Sequence, residues 1–182
     1  MEEAGYSLDA RIAPPGCCIV IIGMAGAGKT TIGRELAKLT GKPQLDTDLI
    51  IEAHYGTDLQ SIADKISKEE FLDLENAIIC RLQLKDCVVS TGGSVVYRET
   101  AVRRLKALGP VVYVSVSMPV ILERIARRPR RGLAINPGQT LEELYAERAV
   151  LYEAAADITV EGGEAPAAFY AGEIARRLAG DW

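Results

Sequence analysis

Histidine is almost missing from this chain: among 182 residues only His54 occurs. One imidazole excludes histidine-based metal clusters and most nucleophile–histidine triads. Cysteine is scarce too, with four residues at 17, 18, 80 and 87 and no C-x-x-C spacing. Cys17 and Cys18, adjacent on an expected strand, point to opposite faces and cannot share a metal. Nothing in the sequence around Cys80 or Cys87 marks an activated thiol. Reduced, buried thiols in a cytosolic protein are therefore expected. No apolar run approaches the roughly 18–20 residues of a membrane span. The opening residues, MEEAGYSLDARIAPPG, lack a cationic segment followed by an apolar one, so they do not read as a signal peptide. Positive charge is not in excess either. Lys plus Arg number 21 against 25 for Asp plus Glu, a net charge of −4 that argues against nucleic acid as a partner. A soluble, cytoplasmic protein is expected, with no membrane contact and no obligate protein partner evident.

Apolar residues make up 48% and charged residues 25%, the proportions of a globular domain long enough to bury its own core. Residues 1–16 read as a leader ending in Pro14-Pro15-Gly16, and 17–182 as a single domain. Cys17 to Ile22 is a short continuous apolar run, the pattern of a parallel strand buried on both faces. A short strand is expected at Pro43 to Asp46, and further apolar runs follow at Cys87 to Ser90, Val111 to Val116 and Asp157 to Val160. Helical patterns separate them, at 29–40, across 49–85 with turn signals at Tyr55-Gly56 and Ile66-Ser67, and at 98–108, 119–128, 140–154 and 166–179. Strands alternating with helices predict an α/β fold with a parallel sheet of five strands.

Gly23-Met24-Ala25-Gly26-Ala27-Gly28-Lys29-Thr30 matches G-x-x-x-x-G-K-[ST], between the first strand and the first helix. In such a loop consecutive backbone N–H groups turn inward to form an anion nest at a positive helix end. Lys29 is placed to reach β- and γ-phosphates, and the Thr30 hydroxyl to ligate Mg²⁺. Gly26, Ala27, Gly28, Lys29, Thr30 and Thr31 are thus the expected nucleotide contacts, with ATP and Mg²⁺ the expected cofactors. The bland alternative, a glycine-rich turn carrying a chance lysine, fits the flanking strand and helix less well.

Asp46 and Asp48 stand two apart at an expected strand end, where both would face the crevice beyond the strand termini. One carboxylate suits magnesium and the other suits taking the proton of an attacking hydroxyl. The competing reading makes Asp48 a helix N-cap, with Glu52 four residues on. No separate apolar run ending in aspartate offers another magnesium carboxylate, which favours Asp46. Arg127 to Arg131, among Pro129, Gly132 and Pro137, reads either as a solvated turn or as a mobile basic lid. His54 is expected on an exposed helix face, and Phe71 and Leu74 in the core.

In order, GMAGAGKTTIGRELAKLTG, LDTD, F-x-x-x-E, STGG, the arginine-rich segment and ERxxLY resemble shikimate kinase over about residues 17–180. The resemblance implies a P-loop kinase, three layers α/β/α with strand order 2-3-1-4-5 and a lid that closes over ATP. It makes Lys29, Asp48 and Arg131 catalytic, with Arg131 approaching the phosphates. It places Thr30 and Asp46 at the metal, Arg124 at the adenine, and Pro166 near the adenine loop. It assigns Asp48, Glu75, Gly92, Gly93 and Arg148 to the acceptor, Arg148 holding its carboxylate. The activity implied is transfer of the γ-phosphoryl of MgATP to a hydroxyl of shikimate or a related small anionic polyol. Rival expectations are a kinase of the same fold for a sugar acid or a homoserine-like acceptor, or a non-catalytic nucleotide- or metabolite-sensing domain. A nucleotide acceptor is disfavoured because 49–85 lacks clustered arginines.

Three residues depart from the family pattern. Leu72 stands where F-R-x-x-E has its arginine, Ser94 replaces the third of three glycines, and Gly132 replaces the proline of Arg-Pro-Leu. The leucine is expected to offer the acceptor an apolar surface in place of a guanidinium. If the acceptor is shikimate, a Leu72→Arg change is expected to lower its KM about tenfold; if it is not, little shikimate turnover and a preference for a ligand with an apolar or uncharged edge are expected.

Overall fold

The computed structural model describes residues 16–127 and 132–180. Five parallel strands form one sheet in the order β2-β3-β1-β4-β5. Their ranges are β1 Ile19–Ile22, β2 Gln44–Asp46, β3 Val88–Ser90, β4 Val111–Val116 and β5 Ile158–Gly162. The helices are α1 Lys29–Thr40, α2 Thr47–Tyr55, α3 Leu59–Ala63, α4 Lys68–Arg81, α5 Glu99–Leu108, α6 Met118–Arg127, α7 Leu141–Ala155 and α8 Ala167–Gly180. A short 3₁₀ helix, Val95–Tyr97, follows β3. The α/β class and the strand order are those expected.

The central strand explains the layering. All four side chains of β1 are buried, because α1 covers it from one side while α5 packs on it from the other. Such a strand has no polar face to show, so its sequence is continuously apolar. α8 packs on α1 and β5, and α7 packs on β4. The leader expected at 1–16 lies outside the described residues except for Gly16, and so do Arg128 to Arg131.

A second, smaller apolar cluster lies apart from the main core. It joins Ile51 of α2, Leu59 and Ile62 of α3, Phe71 and Leu72 of α4, and Ala134. The helical stretch expected over 49–85 breaks into α2, α3 and α4, at the two turn signals noted. It ends earlier than expected, at Arg81, where Leu82 turns extended with its N–H on the Ile79 carbonyl. The expectation of buried thiols holds for Cys18 and Cys87, while Cys17 is half-buried and Cys80 is exposed on α4. His54 is exposed and Phe71 buried, as expected, while Leu74 is only partly buried.

Candidate active site

Strands β1, β2 and β3 all end at the same edge of the sheet, and a cleft of about 470 Å³ opens there. This is where open α/β sheets bind ligands. α1 starts at Lys29 directly after the glycine loop, so its first free N–H groups face the cleft. The Lys29 ammonium donates to the carbonyls of Gly23 at 2.8 Å and Met24 at 3.0 Å. Burial pulls its pKa down to about 8, opposed by the carboxylates of Asp48 and Asp46. It is a charged group held within the loop, without a carboxylate of its own. Thr31 also lines the cleft.

The Thr30 hydroxyl donates to Asp46 Oδ2 at 2.7 Å. A hydroxyl beside a carboxylate is a hard-oxygen donor pair, the chemistry that suits Mg²⁺. Asp46 Oδ1 also accepts from the Asp48 N–H at 3.0 Å, so Asp46 is the N-cap of α2. The capping alternative weighed for Asp48 therefore belongs to Asp46. Asp48 sits in the first helical turn and not on an extended strand end as expected, yet its side chain still lines the cleft. Burial, then the nearby charge of Asp46, pushes the Asp48 carboxyl up to about 6.

The far half of the cleft is built by the loop after β3 together with α4 and α7. Gly92 donates its N–H to the buried Thr47 hydroxyl at 3.0 Å. A Cβ on Gly92 would run into Glu75 Oε1 and lie 2.7 Å from Asp48 Oδ1, so any larger residue there must displace these carboxylates. Glu75 is 2% exposed. Its Oε2 accepts from the Ser94 hydroxyl at 2.7 Å, while Oε1 has no partner. Arg148 is 1% exposed, and its Nη2 donates to the Ala134 carbonyl at 2.7 Å. Its Nε donates to Tyr97 Oη at 3.3 Å, and its guanidinium lies over the same ring, 5.2 Å from the centroid. Tyr152 donates to the Gly93 carbonyl and stacks on Tyr113. Thr47, Tyr97, Tyr152 and Ser94 hold the site together, and sequence reasoning missed these roles. The partners of Thr47, Tyr97 and Tyr152 stand 45 or more residues away, so no local pattern announces them.

Lys29, Thr30, Thr31, Asp46, Asp48, Glu75, Gly92, Gly93 and Arg148 thus share one cleft, with Gly26 and Gly28 at its rim. Ala27 is buried in the core beneath the loop. Arg124 lies on the loop's outer side, donating to the carbonyls of Gly26 at 3.1 Å and Gly163 at 2.5 Å. Pro166 immediately precedes α8. Arg131 lies outside the described residues. Leu72 corrects an expectation: it is 2% exposed and packs in the second apolar cluster. From the same helix the cleft receives Phe71 and Glu75 instead. Gly132, at the resumption of the described chain, lines the cleft and donates its N–H to Gln60 Oε1 at 2.9 Å.

Comparison with known proteins gives a consistent result. Residues 25–179 match the family model described as shikimate kinase. A shikimate kinase of Pseudomonas syringae pv. syringae is 40% identical over 164 residues, covering 88% of this chain and 95% of its own. One from Vibrio vulnificus is 39% identical, with the same coverage. Among solved structures, shikimate kinase from Acinetobacter baumannii in complex with shikimate superposes with a TM-score of 0.83 at 31% identity. That superposition covers 92% of this chain and 94% of the other.

Proposed function

The chain belongs to the shikimate kinase family, and we propose that it transfers the γ-phosphoryl group of ATP to a hydroxyl of shikimate. The observation that carries this reading is the convergence of Lys29, Asp48 and Arg148 on one cleft. A phosphate cradle, a base and a carboxylate receptor are what phosphorylation of an anionic alcohol requires.

In the proposed reaction the acceptor carboxylate is held by Arg148 and its reacting hydroxyl lies at Asp48. As the hydroxyl oxygen forms its bond to the γ-phosphorus, the bond from that phosphorus to the bridging oxygen breaks and ADP leaves. The hydroxyl proton goes to the Asp48 carboxylate and from there to water. An aspartate raised to about 6 is ionised at neutral pH and still basic enough to assist. Lys29, lowered to about 8, remains mostly an ammonium at neutral pH and neutralises charge on the phosphates. Thr30 and Asp46 would hold Mg²⁺, which when bound offsets phosphate charge. The remaining rate comes from positioning.

The residues of this site support an enzyme acting on small molecules, and its use of ATP suits a cytoplasmic location. No helix among the described residues is long and apolar enough to cross a membrane. An ADP-release assay with ATP, Mg²⁺ and shikimate tests the reading. Shikimate-dependent ADP release with formation of a phosphate ester is expected. ADP release unaltered by shikimate would overturn it.

A further inference from the structure

Glu75 Oε1 is the only buried side-chain oxygen or nitrogen without a hydrogen-bond partner among the described residues. A buried carboxylate oxygen left unmatched is costly, because it gives up its hydrogen bonds to water and gains none in return. Such a cost persists in a site when a ligand supplies the missing partner. The carboxylate lines the cleft between Asp48 and Arg148, and the Gly92 backbone runs close against Oε1. Its other oxygen is tied down by Ser94, itself buried and a wall of the same cleft. No ion pair joins Glu75 to Arg148 or Lys29 among the described residues, although both cations face it. The far half of the cleft thus offers a guanidinium and, beside it, an oriented carboxylate with one oxygen open.

We propose that Ser94 is a positioning residue: it clamps Glu75 so that Oε1 accepts a hydrogen bond directly from the acceptor, at a donor group near the carboxylate held by Arg148. The assignment rests on the kinase reading above. The donor is an O–H or N–H, supplied by a ring hydroxyl of shikimate or by the ammonium of a hydroxy-amino acid. Both satisfy Oε1 while the neighbouring carboxylate meets Arg148. The groups facing Glu75 are Asp48 from α2, Lys29 from α1, and Arg148 and Tyr152 from α7. Burial holds the Glu75 carboxyl up near 7, and the Ser94 hydrogen bond acts against that rise. Removing the Ser94 hydroxyl must therefore raise it further.

The test compares wild type with Ser94→Ala, Ser94→Thr and Glu75→Gln, using shikimate and homoserine as acceptors. Ser94→Ala is expected to raise the KM of whichever acceptor is phosphorylated about tenfold, with the ATP KM within about twofold. Ser94→Thr, which keeps the hydroxyl, is expected to recover most of the loss, and Glu75→Gln to match or exceed Ser94→Ala. The pH at which acceptor kcat/KM rises moves up in Ser94→Ala. A carbon-13 titration of the Glu75 carboxyl reads the same shift without turnover. A dependence seen with shikimate identifies the donor as a hydroxyl, and one seen with homoserine as an ammonium; both support the proposal. Unchanged acceptor KM in Ser94→Ala, or an ATP KM rising in parallel, overturns it. If wild type phosphorylates neither acceptor, the function proposed above fails. The Glu75 titration then still judges Ser94, and a midpoint identical in wild type and Ser94→Ala overturns the clamp.

Discussion

Lys29, Asp48 and Leu72 carry three different kinds of residue-level consequence. Lys29 is buried in the glycine loop, with loop carbonyls as its hydrogen-bond partners. Lys29→Ala is expected to lower kcat by about 10²–10³ or more, since it deletes a preorganised cation at the phosphates. Circular dichroism should show the fold retained, and near wild-type turnover in that folded variant would defeat the P-loop assignment. Asp48→Asn keeps shape and removes the base. It is expected to bind ATP as wild type does, by fluorescence titration, while transfer falls roughly 10²–10⁴-fold. A drop in ATP affinity with transfer per bound ATP preserved would move Asp48 to the nucleotide side. Leu72→Arg puts a charge into the cluster of Ile51, Leu59, Ile62, Phe71 and Ala134. Burying an unpaired guanidinium there is expected to lower Tm by roughly 5 °C or more. If Tm held and the acceptor KM fell, Leu72 would face the acceptor as its place in the sequence suggests.

Elements decide whether those side chains meet. The loop after β3 brings Gly92 between Glu75 of α4 and Asp48 of α2. Gly92→Ala forces a methyl group against both carboxylates, so activity should drop at least about 10²-fold while the sheet survives. Turnover of the Gly92→Ala variant equal to wild type in the same assay would show that α4 can yield there. The sheet itself was legible because β1, β3 and β4 are short, mostly apolar runs, turn or capping residues follow the strands, and the helices between them fix parallel crossovers. α1 was legible to the residue, since the loop motif starts it and Gly41 stops it. Less was legible where one residue serves two elements. Asp46 caps α2 and also accepts from the Thr30 hydroxyl, so the cap weighed for Asp48 falls on the earlier aspartate. Leu72 and Glu75 lie three apart on α4, yet one packs inward and the other opens on the cleft. Only the packing of α2 and α3 against α4 separates them, and that is invisible in sequence spacing.

At the scale of the whole molecule, the site opposes the stability of the chain that forms it. Glu75 has its pKa raised from 4.5 to about 7 in the folded state, chiefly by burial. Between those two values the folded chain holds a proton that the unfolded chain has released. Stability from this group is thus present at low pH and is lost as pH rises through that window. Glu75→Gln removes the titration and retains a side chain of the same size that can still hydrogen-bond Ser94. Measured against wild type by urea unfolding, the variant is expected to gain about 1–3 kcal/mol between pH 5 and pH 8. Asp48 shifts in the same direction, but it is present in both proteins and largely cancels in the difference. The same substitution is expected to weaken acceptor binding, so the more stable protein is the poorer enzyme. A stability difference between Glu75→Gln and wild type that stays constant from pH 5 to pH 8 would show that the buried carboxyl titrates normally, and that the open oxygen carries no strain for an acceptor to relieve.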